Sequence, residues 1–143
     1  MTFRILPKLT DRNRHFWTAG RTGRLQILRC QDCGYFIHPP VPICPRDHSK
    51  RLAPEAVSGN ATVATFTINH QEWMPGPETP YVVAIVELEE QPDVRLTTNL
   101  VGCAPGDVSI GMPVRVVFEH HAAPDGDIWL PLFEPDDRRE CAG

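Results

Sequence analysis

The sequence predicts a mainly β protein: an N-terminal helix, a small zinc ribbon, and then a five-stranded barrel of the OB type. Three observations point there. Two knuckles, Cys30-Gln31-Asp32-Cys33-Gly34 and Cys44-Pro45-Arg46-Asp47-His48, lie ten residues apart. Fifteen prolines punctuate the chain, many of them beside short β-branched runs. After residue 60 five such runs follow at close spacing with only a scrap of helix among them, which suits a small closed barrel. A β-sandwich is the alternative, and five strands would make it thin. The domain reading is residues 1–51 for helix and ribbon and 52–143 for the barrel.

Along the chain, Pro7 breaks any early helix. Residues 11–20 are expected to be helical: Thr10 or Asp11 can cap the turn, Phe16 and Trp17 give it an apolar face, and Gly20 ends it. Phe16 and Trp17 read as buried anchors against a neighbour, in this chain or another. Leu25 to Arg29 alternates like a strand and runs into the first knuckle, and Tyr35-Phe36-Ile37 is a second strand. His38-Pro39-Pro40 leads back to the second knuckle, with His38 read as a ribbon surface residue in preference to a ligand. Residues 50–60 look like a polar linker.

The barrel strands are expected over residues 61–70, 81–88, 94–101, 114–120 and 128–133. The near-continuous apolar run over 81–88 suggests a central strand buried on both faces. Val94, Leu96, Thr98 and Leu100 fall on one face, as do Val114, Val116 and Phe118. Pro105-Gly106-Asp107 can hold one helical turn. Residues 73–80, rich in Pro and Gly, are a loop whose Trp73-Met74 tip is costly to leave in water and adaptable when covered. A tip folded back onto its own barrel is the competing reading.

The knuckle spacing lets two thiolates from one tight turn meet one ion, with Gly34 free to take the left-handed turn that follows. Cys30, Cys33 and Cys44 supply three thiolates. The place of a fourth cysteine holds Asp47, followed by His48, and either an oxygen or an imidazole would close a tetrahedral structural site. The competing readings are a metal-free ribbon held by packing and a redox CxxC pair, the latter opposed by the lack of a βαβ pattern.

Net charge is −4, unevenly spread. Residues 1–51 carry ten Lys and Arg against three Asp and Glu, and the remainder carries four against fifteen. A basic first third suits an acidic partner surface or ligand phosphates, or is simply a solvated face. OB barrels and zinc ribbons both bind nucleic acid, but an acidic barrel repels a phosphate backbone. Phe66, Tyr81 and Phe118 also read as core residues. Five cysteines, three in metal-type spacing, oppose a secreted disulfide framework, and with no apolar run or h-region the cytoplasm is the expected compartment. No nucleophile elbow, phosphate-binding glycine loop or HExxH is present. Cys103, beside Gly102, reads as a small buried cysteine, and His70, His120 and His121 read as strand-end surface residues.

The ordered series Phe16-Trp17, Leu28 to Gly34, Pro39 to Pro45, Gly59 to Phe66, Pro80 to Leu88, Leu96 to Cys103, Ile110 to Val114 and Leu130 to Phe133 covers nearly the whole chain. It resembles the acyl-CoA-associated family that joins an N-terminal helical segment and a rubredoxin-like zinc ribbon to a C-terminal OB-fold. The resemblance implies an accessory subunit beside a thiolase-superfamily enzyme, in thiolytic, condensing or retro-aldol chemistry on an acyl-CoA, including steroid side-chain degradation. It also implies a structural zinc, with the family's four cysteines falling on Cys30, Cys33, Cys44 and Asp47, and a CoA thioester as ligand or substrate of the complex. The partner would bring the reactive cysteine and histidines, and Phe16, Trp17, Trp73 and Met74 are the expected contacts with partner or ligand.

Overall fold

The computed structural model describes residues 6–71, 79–124 and 126–136. Near the N-terminus Thr10 and Asn13 satisfy each other: the Thr10 amide donates to Asn13 Oδ1 at 2.7 Å and the Asn13 amide to Thr10 Oγ1 at 3.2 Å. This reciprocal cap starts a chain turn of which only α1 (Arg14–Trp17) is α-helical, followed by a 3-10 helix at Ala19–Thr22. The continuous helix expected over 11–20 is therefore replaced by two short pieces. Thr18, Gly20, Thr22 and Gly23 are poor helix formers, and Gly23 closes the run in the left-handed region at φ 74°.

The second piece is held by contact with the barrel. A Cβ built on Gly20 would meet Trp129 Cβ, with Trp129 Cγ at 2.6 Å and Phe118 Cγ at 2.8 Å. Gly20→Ala should lift this segment off the barrel and cost roughly 1–3 kcal/mol through overpacking. A chemical denaturation midpoint unchanged from wild type would sink that expectation.

β1 (Gln26–Cys30), β2 (Phe36–Ile37) and β3 (Leu52–Ala56) form an antiparallel sheet in the order β2-β1-β3. β3 falls in the segment read as a polar linker. None of its residues is fully buried: Pro54 and Ala56 are exposed, Arg29 of β1 reaches Glu55 at 2.8 Å, and the chain then buries Val57. The ribbon sheet thus extends to residue 56.

β4 (Asn60–Asn69), β5 (Tyr81–Leu88), β6 (Gln91–Leu100), β7 (Pro113–His121) and β8 (Ile128–Pro135) close a barrel in the order β4-β5-β6-β8-β7, with β6 and β8 parallel. This is the five-stranded OB arrangement. A 3-10 turn, Pro105–Asp107, occupies the loop before β7. Val94, Leu96, Thr98 and Leu100 are all buried on one face, as their alternation predicts, and the Thr98 hydroxyl donates to the Pro131 carbonyl at 3.0 Å. β5 is buried on one face only, through Val82, Ala84, Val86 and Leu88, so the two-sided burial expected of it is not found. Phe66 and Phe118 pack against the core, whereas Tyr81 is half-buried outside it.

The main core is continuous across the chain. Phe16, Leu25, Ile27 and Val57 join barrel residues such as Val63, Val86, Val114 and Phe133 in one cluster. A second, smaller cluster holds Cys30, Ile37 and Cys44, with Leu28, Tyr35 and Leu52 against it. β1 therefore contributes to both.

His38 is not the surface residue its sequence position suggested. Its ring packs on Phe16 at a centroid distance of 4.7 Å. Burial, with a smaller contribution from His15, pushes its imidazole down from 6.5 to about 4. The neutral form is thus the one the folded protein keeps, and stability is lost as pH falls from 6.5 through about 4, where the opened chain takes up the proton first. An NMR titration should place the His38 midpoint near the lower value, and a midpoint at the ordinary 6.5 would contradict the packing. Among the described residues, no helix is long and apolar enough to cross a membrane.

Candidate metal centre

The two knuckles are built alike. In the first, the Gly34 amide donates to the Cys30 carbonyl at 3.0 Å, with Gly34 at φ 81°. In the second, the His48 amide donates to the Cys44 carbonyl at 3.0 Å, with His48 at φ 60°. Asp47 therefore stands where Cys33 stands, and His48 where Gly34 stands. Histidine is among the few non-glycine residues enriched in this left-handed region. Position in the turn thus aims Asp47 inward and carries the His48 backbone around the bend.

One ligand atom each from Cys30, Cys33, Cys44 and Asp47 lies within 4.8 Å of the others, and His48 does not belong to the group. The Cys33 and Cys44 sulfurs are 3.6 Å apart, and the Cys30 thiol lies 3.5 Å from Asp47 Oδ1. Tetrahedral zinc with Zn–S bonds of about 2.3 Å places two sulfurs about 3.8 Å apart, so these edges fit such an ion. Outer hydrogen bonds steady the set: the Cys33 amide points at Cys30 Sγ at 3.5 Å, the Arg46 amide at Cys44 Sγ at 3.4 Å, and the Ser49 amide at Asp47 Oδ1 at 2.9 Å.

The electrostatics are those of acids crowded together where the two knuckles meet. The Tyr35 amide pulls the Cys33 thiol down, but burial, the Cys30 and Cys44 thiols and the Asp47 carboxylate together push it up to about 11. Burial works to raise Cys30, and the Cys33 and Asp32 amides with the neighbouring thiols outweigh it, leaving Cys30 below its ordinary value. The Ser49 amide, against burial, holds the Asp47 carboxyl below the usual range. A cation among these groups would favour the ionised Cys33 thiolate against that crowding.

The knuckles are tied to the barrel by Gln91, the first residue of β6. The Gln91 side chain accepts from the Phe36 amide at 3.0 Å and donates to the Phe36 carbonyl at 2.9 Å, and Tyr35 Oη donates to Asp93 at 3.3 Å. No sequence pattern signals this contact. The equivalence of His48 and Gly34 was legible by laying one knuckle over the other.

The remaining candidate residues scatter. Phe16 is buried in the chain's own core, as a buried anchor within this chain. Trp17 is half-buried and packs edge-on against Phe16 at 4.8 Å. Trp73 and Met74 lie outside the described residues. Cys103 is half-buried, and burial with the nearby Asp107 raises its thiol, the opposite of what a nucleophile needs. His70 is exposed. His120 stacks on Trp129 at 4.6 Å and faces Asp127 at 3.3 Å. His121, set 2.6 Å from Glu119, has a largely covered side chain and is not the surface residue expected.

Comparison with known proteins agrees with this architecture. The rubredoxin-like zinc ribbon domain of ChsH2 matches residues 17–53, and the C-terminal OB-fold domain of ChsH2 matches residues 54–119. A probable enoyl-CoA hydratase alpha subunit of Thermomonospora curvata is 41% identical over 129 residues, covering 90% of this chain and 39% of that protein. The 3-oxo-4,17-pregnadiene-20-carboxyl-CoA hydratase alpha subunit of Mycobacterium tuberculosis is 38% identical over 122 residues, covering 85% of this chain and 37% of that protein. The chain thus spans a little under two fifths of the length of each of these curated relatives. A chain of the solved Ltp2-ChsH2(DUF35) aldolase superposes with a TM-score of 0.78 at 38% identity, covering 91% of this chain and 98% of that one.

Proposed function

The chain belongs to the ChsH2 family of zinc-ribbon and OB-fold proteins, and from that premise we propose that it is an accessory subunit of a thiolase-superfamily complex acting on an acyl-CoA. The observation that carries the reading is the near full-length likeness to a chain of an aldolase assembly, at 38% identity and over 98% of that chain. The same likeness favours retro-aldol C–C cleavage over thiolysis or condensation. The pregnadiene-carboxyl-CoA named for one relative favours steroid side-chain degradation as its setting. The partner supplies the reactive groups, and this chain supplies surface.

The ribbon's part is structural. Zinc is held by Cys30, Cys33, Cys44 and Asp47, and when bound it neutralises the crowded acids and fixes the knuckles with no coordination position left for substrate. Asp47→Ala should remove most of the bound metal. His48→Gly should keep about one equivalent and add up to about 1–2 kcal/mol of stability by relieving a left-handed non-glycine residue. Metal analysis of the two purified variants decides between the ligands; retention by Asp47→Ala with loss from His48→Gly would reverse the assignment.

Trp17 and the Trp73-Met74 segment are the partner contacts, because large apolar side chains dominate the energetics of such interfaces. Trp17→Ala, co-expressed with a thiolase-like protein of the native host, should weaken co-purification and lower the complex's activity, while the isolated chain keeps its fold. Turnover of an acyl-CoA by the chain alone, or failure of the wild-type chain to join any thiolase-like protein of its host, would remove the subunit reading.

A further inference from the structure

Two sulfurs of the metal centre face each other and differ in their access to solvent. Cys33 is exposed and Cys44 is buried, and their Sγ atoms lie 3.6 Å apart. Cys30, the other buried thiol of the set, is turned to the Asp47 carboxylate, 3.5 Å from Oδ1. A hollow of about 350 Å³ opens over the exposed side, lined by Cys33, Gly34, Tyr35, Arg46, Asp47 and Gln91. A small polar molecule entering it meets two of the four metal-binding residues, and only Cys33 offers a sulfur. The Arg46 guanidinium lies over the Tyr35 ring at 5.0 Å, so a positive charge lines the same hollow.

Partial exposure near a cation marks reactive cysteines, and a second thiol within reach marks those that form a bridge. The odd ligand sharpens the pattern. Asp47 holds in the second knuckle the place that Cys33 holds in the first, with matching turns behind them. That knuckle therefore presents to the hollow a carboxylate, which peroxide leaves alone, and no second exposed sulfur. A coordinating thiol is deprotonated outright. Three thiolates and a carboxylate carry more negative charge than one divalent cation neutralises, so the sulfurs keep electron density for an electrophile.

We propose that Cys33 and Cys44 form a peroxide-reactive pair, whose oxidation to one disulfide between the knuckles releases the metal. The inference rests on the reading of Cys30, Cys33, Cys44 and Asp47 as a zinc site and adds a reaction of its sulfurs. The oxidant is a hydroperoxide. Its terminal oxygen is attacked by the Cys33 sulfur, the O–O bond breaks, and the departing oxygen takes a proton from water and leaves as an alcohol, or as water. The Cys44 sulfur then attacks the Cys33 sulfenic acid, and the S–O bond breaks with hydroxide, protonated to water, as leaving group. Two thiolates have given up two electrons, which the peroxide accepts with two protons. Cys30 and Asp47 alone remain as ligands, too few for a tetrahedral site, and the Cys30 sulfur regains a proton from water.

The test treats zinc-loaded full chain with a small excess of hydrogen peroxide, for wild type and for Cys103→Ser/Cys141→Ser, which keeps only the three thiols of the site. A chromogenic indicator reads released zinc, and mass spectrometry after alkylation reads the bridge. About one equivalent of zinc should be released together with one Cys33–Cys44 disulfide, leaving Cys30 open to alkylation. Without peroxide the indicator should take less than about a tenth of the zinc in the same time. A dithiol reductant with added zinc should restore the loaded form. Arg46→Gln should slow the release by about twofold to fivefold. Thermal melts confirm that the variants are folded, and wild type decides the outcome for any that is not. Zinc retained under peroxide, release at the same rate without it, a Cys30–Cys33 bridge, or sulfur oxidised beyond rescue by the reductant would each overturn the proposal. Protein that binds no zinc before peroxide is added sinks the zinc reading and this inference with it, whereas zinc bound and then retained sinks this inference alone.

Discussion

Cys33→Ser is expected to release the metal and unfold the knuckles while β4 to β8 remain folded. The mini-core around Cys30, Ile37 and Cys44 is small, and clusters of that size need a metal to stand. Apparent binding free energies of roughly 10–16 kcal/mol for structural zinc show how much folding energy such an ion supplies. The continuous core adds a detail that the sequence did not offer. Leu25 and Ile27 belong with the barrel and Cys30 with the knuckles, so the melting boundary should run through β1. Amide exchange should show lost protection at Cys30, Gly34, Cys44 and His48, whose amides bond within the ribbon, and retained protection along β5. Metal content should fall below about a tenth of an equivalent. Barrel amides that lose protection in step with the knuckles would show one cooperative unit instead of two.

Gly59→Ala should be the most damaging single methyl in the barrel. Gly59 sits at φ 82° where β4 begins, and a Cβ there would run into Val116 Cγ1. The Val116 amide donates to the Gly59 carbonyl at 2.9 Å, beside the pairs Asn60–Arg115 and Ala61–Val114 that close the barrel between β4 and β7. The glycine cannot retreat without opening that seam. A left-handed alanine costs about 1–2 kcal/mol and overpacking about 1–3 kcal/mol more. Their sum is a large part of the roughly 5–15 kcal/mol that holds a domain folded. Pairing it with Val116→Ala should recover the overpacking share and leave the backbone share, which a double-mutant cycle of denaturation free energies measures. A variant within about half a kcal/mol of wild type would refute the contact.

The features legible in the sequence are those set by local rules. Knuckle spacing follows from what one ion can reach, and the alternation of Val94, Leu96, Thr98 and Leu100 follows from the two-residue period of a strand. What stayed hidden depends on neighbours far along the chain. β3 looked like a linker because its partners in β1 lie some 26 residues back, at pairs such as Ile27–Glu55 and Leu28–Pro54. His38 looked like surface because nothing local places Phe16 over its ring. The expected helix over 11–20 broke because Gly20 serves contact with Trp129 and Phe118, a tertiary demand that overrides local propensity. The bond between Gln91 and Phe36 spans 55 positions and has no periodicity to announce it.

That bond also bears on how the ribbon sheet behaves toward other chains. A two-residue outer strand such as β2 ordinarily presents bare amide and carbonyl groups that invite a foreign strand to add on. Here the Gln91 carboxamide occupies both groups of Phe36, a side chain imitating the strand that would otherwise dock. At the opposite margin Pro54 removes one donor from β3. Both flanks of the sheet are thereby blunted against strand addition and fibrous self-association, and a partner must read this module through its side chains.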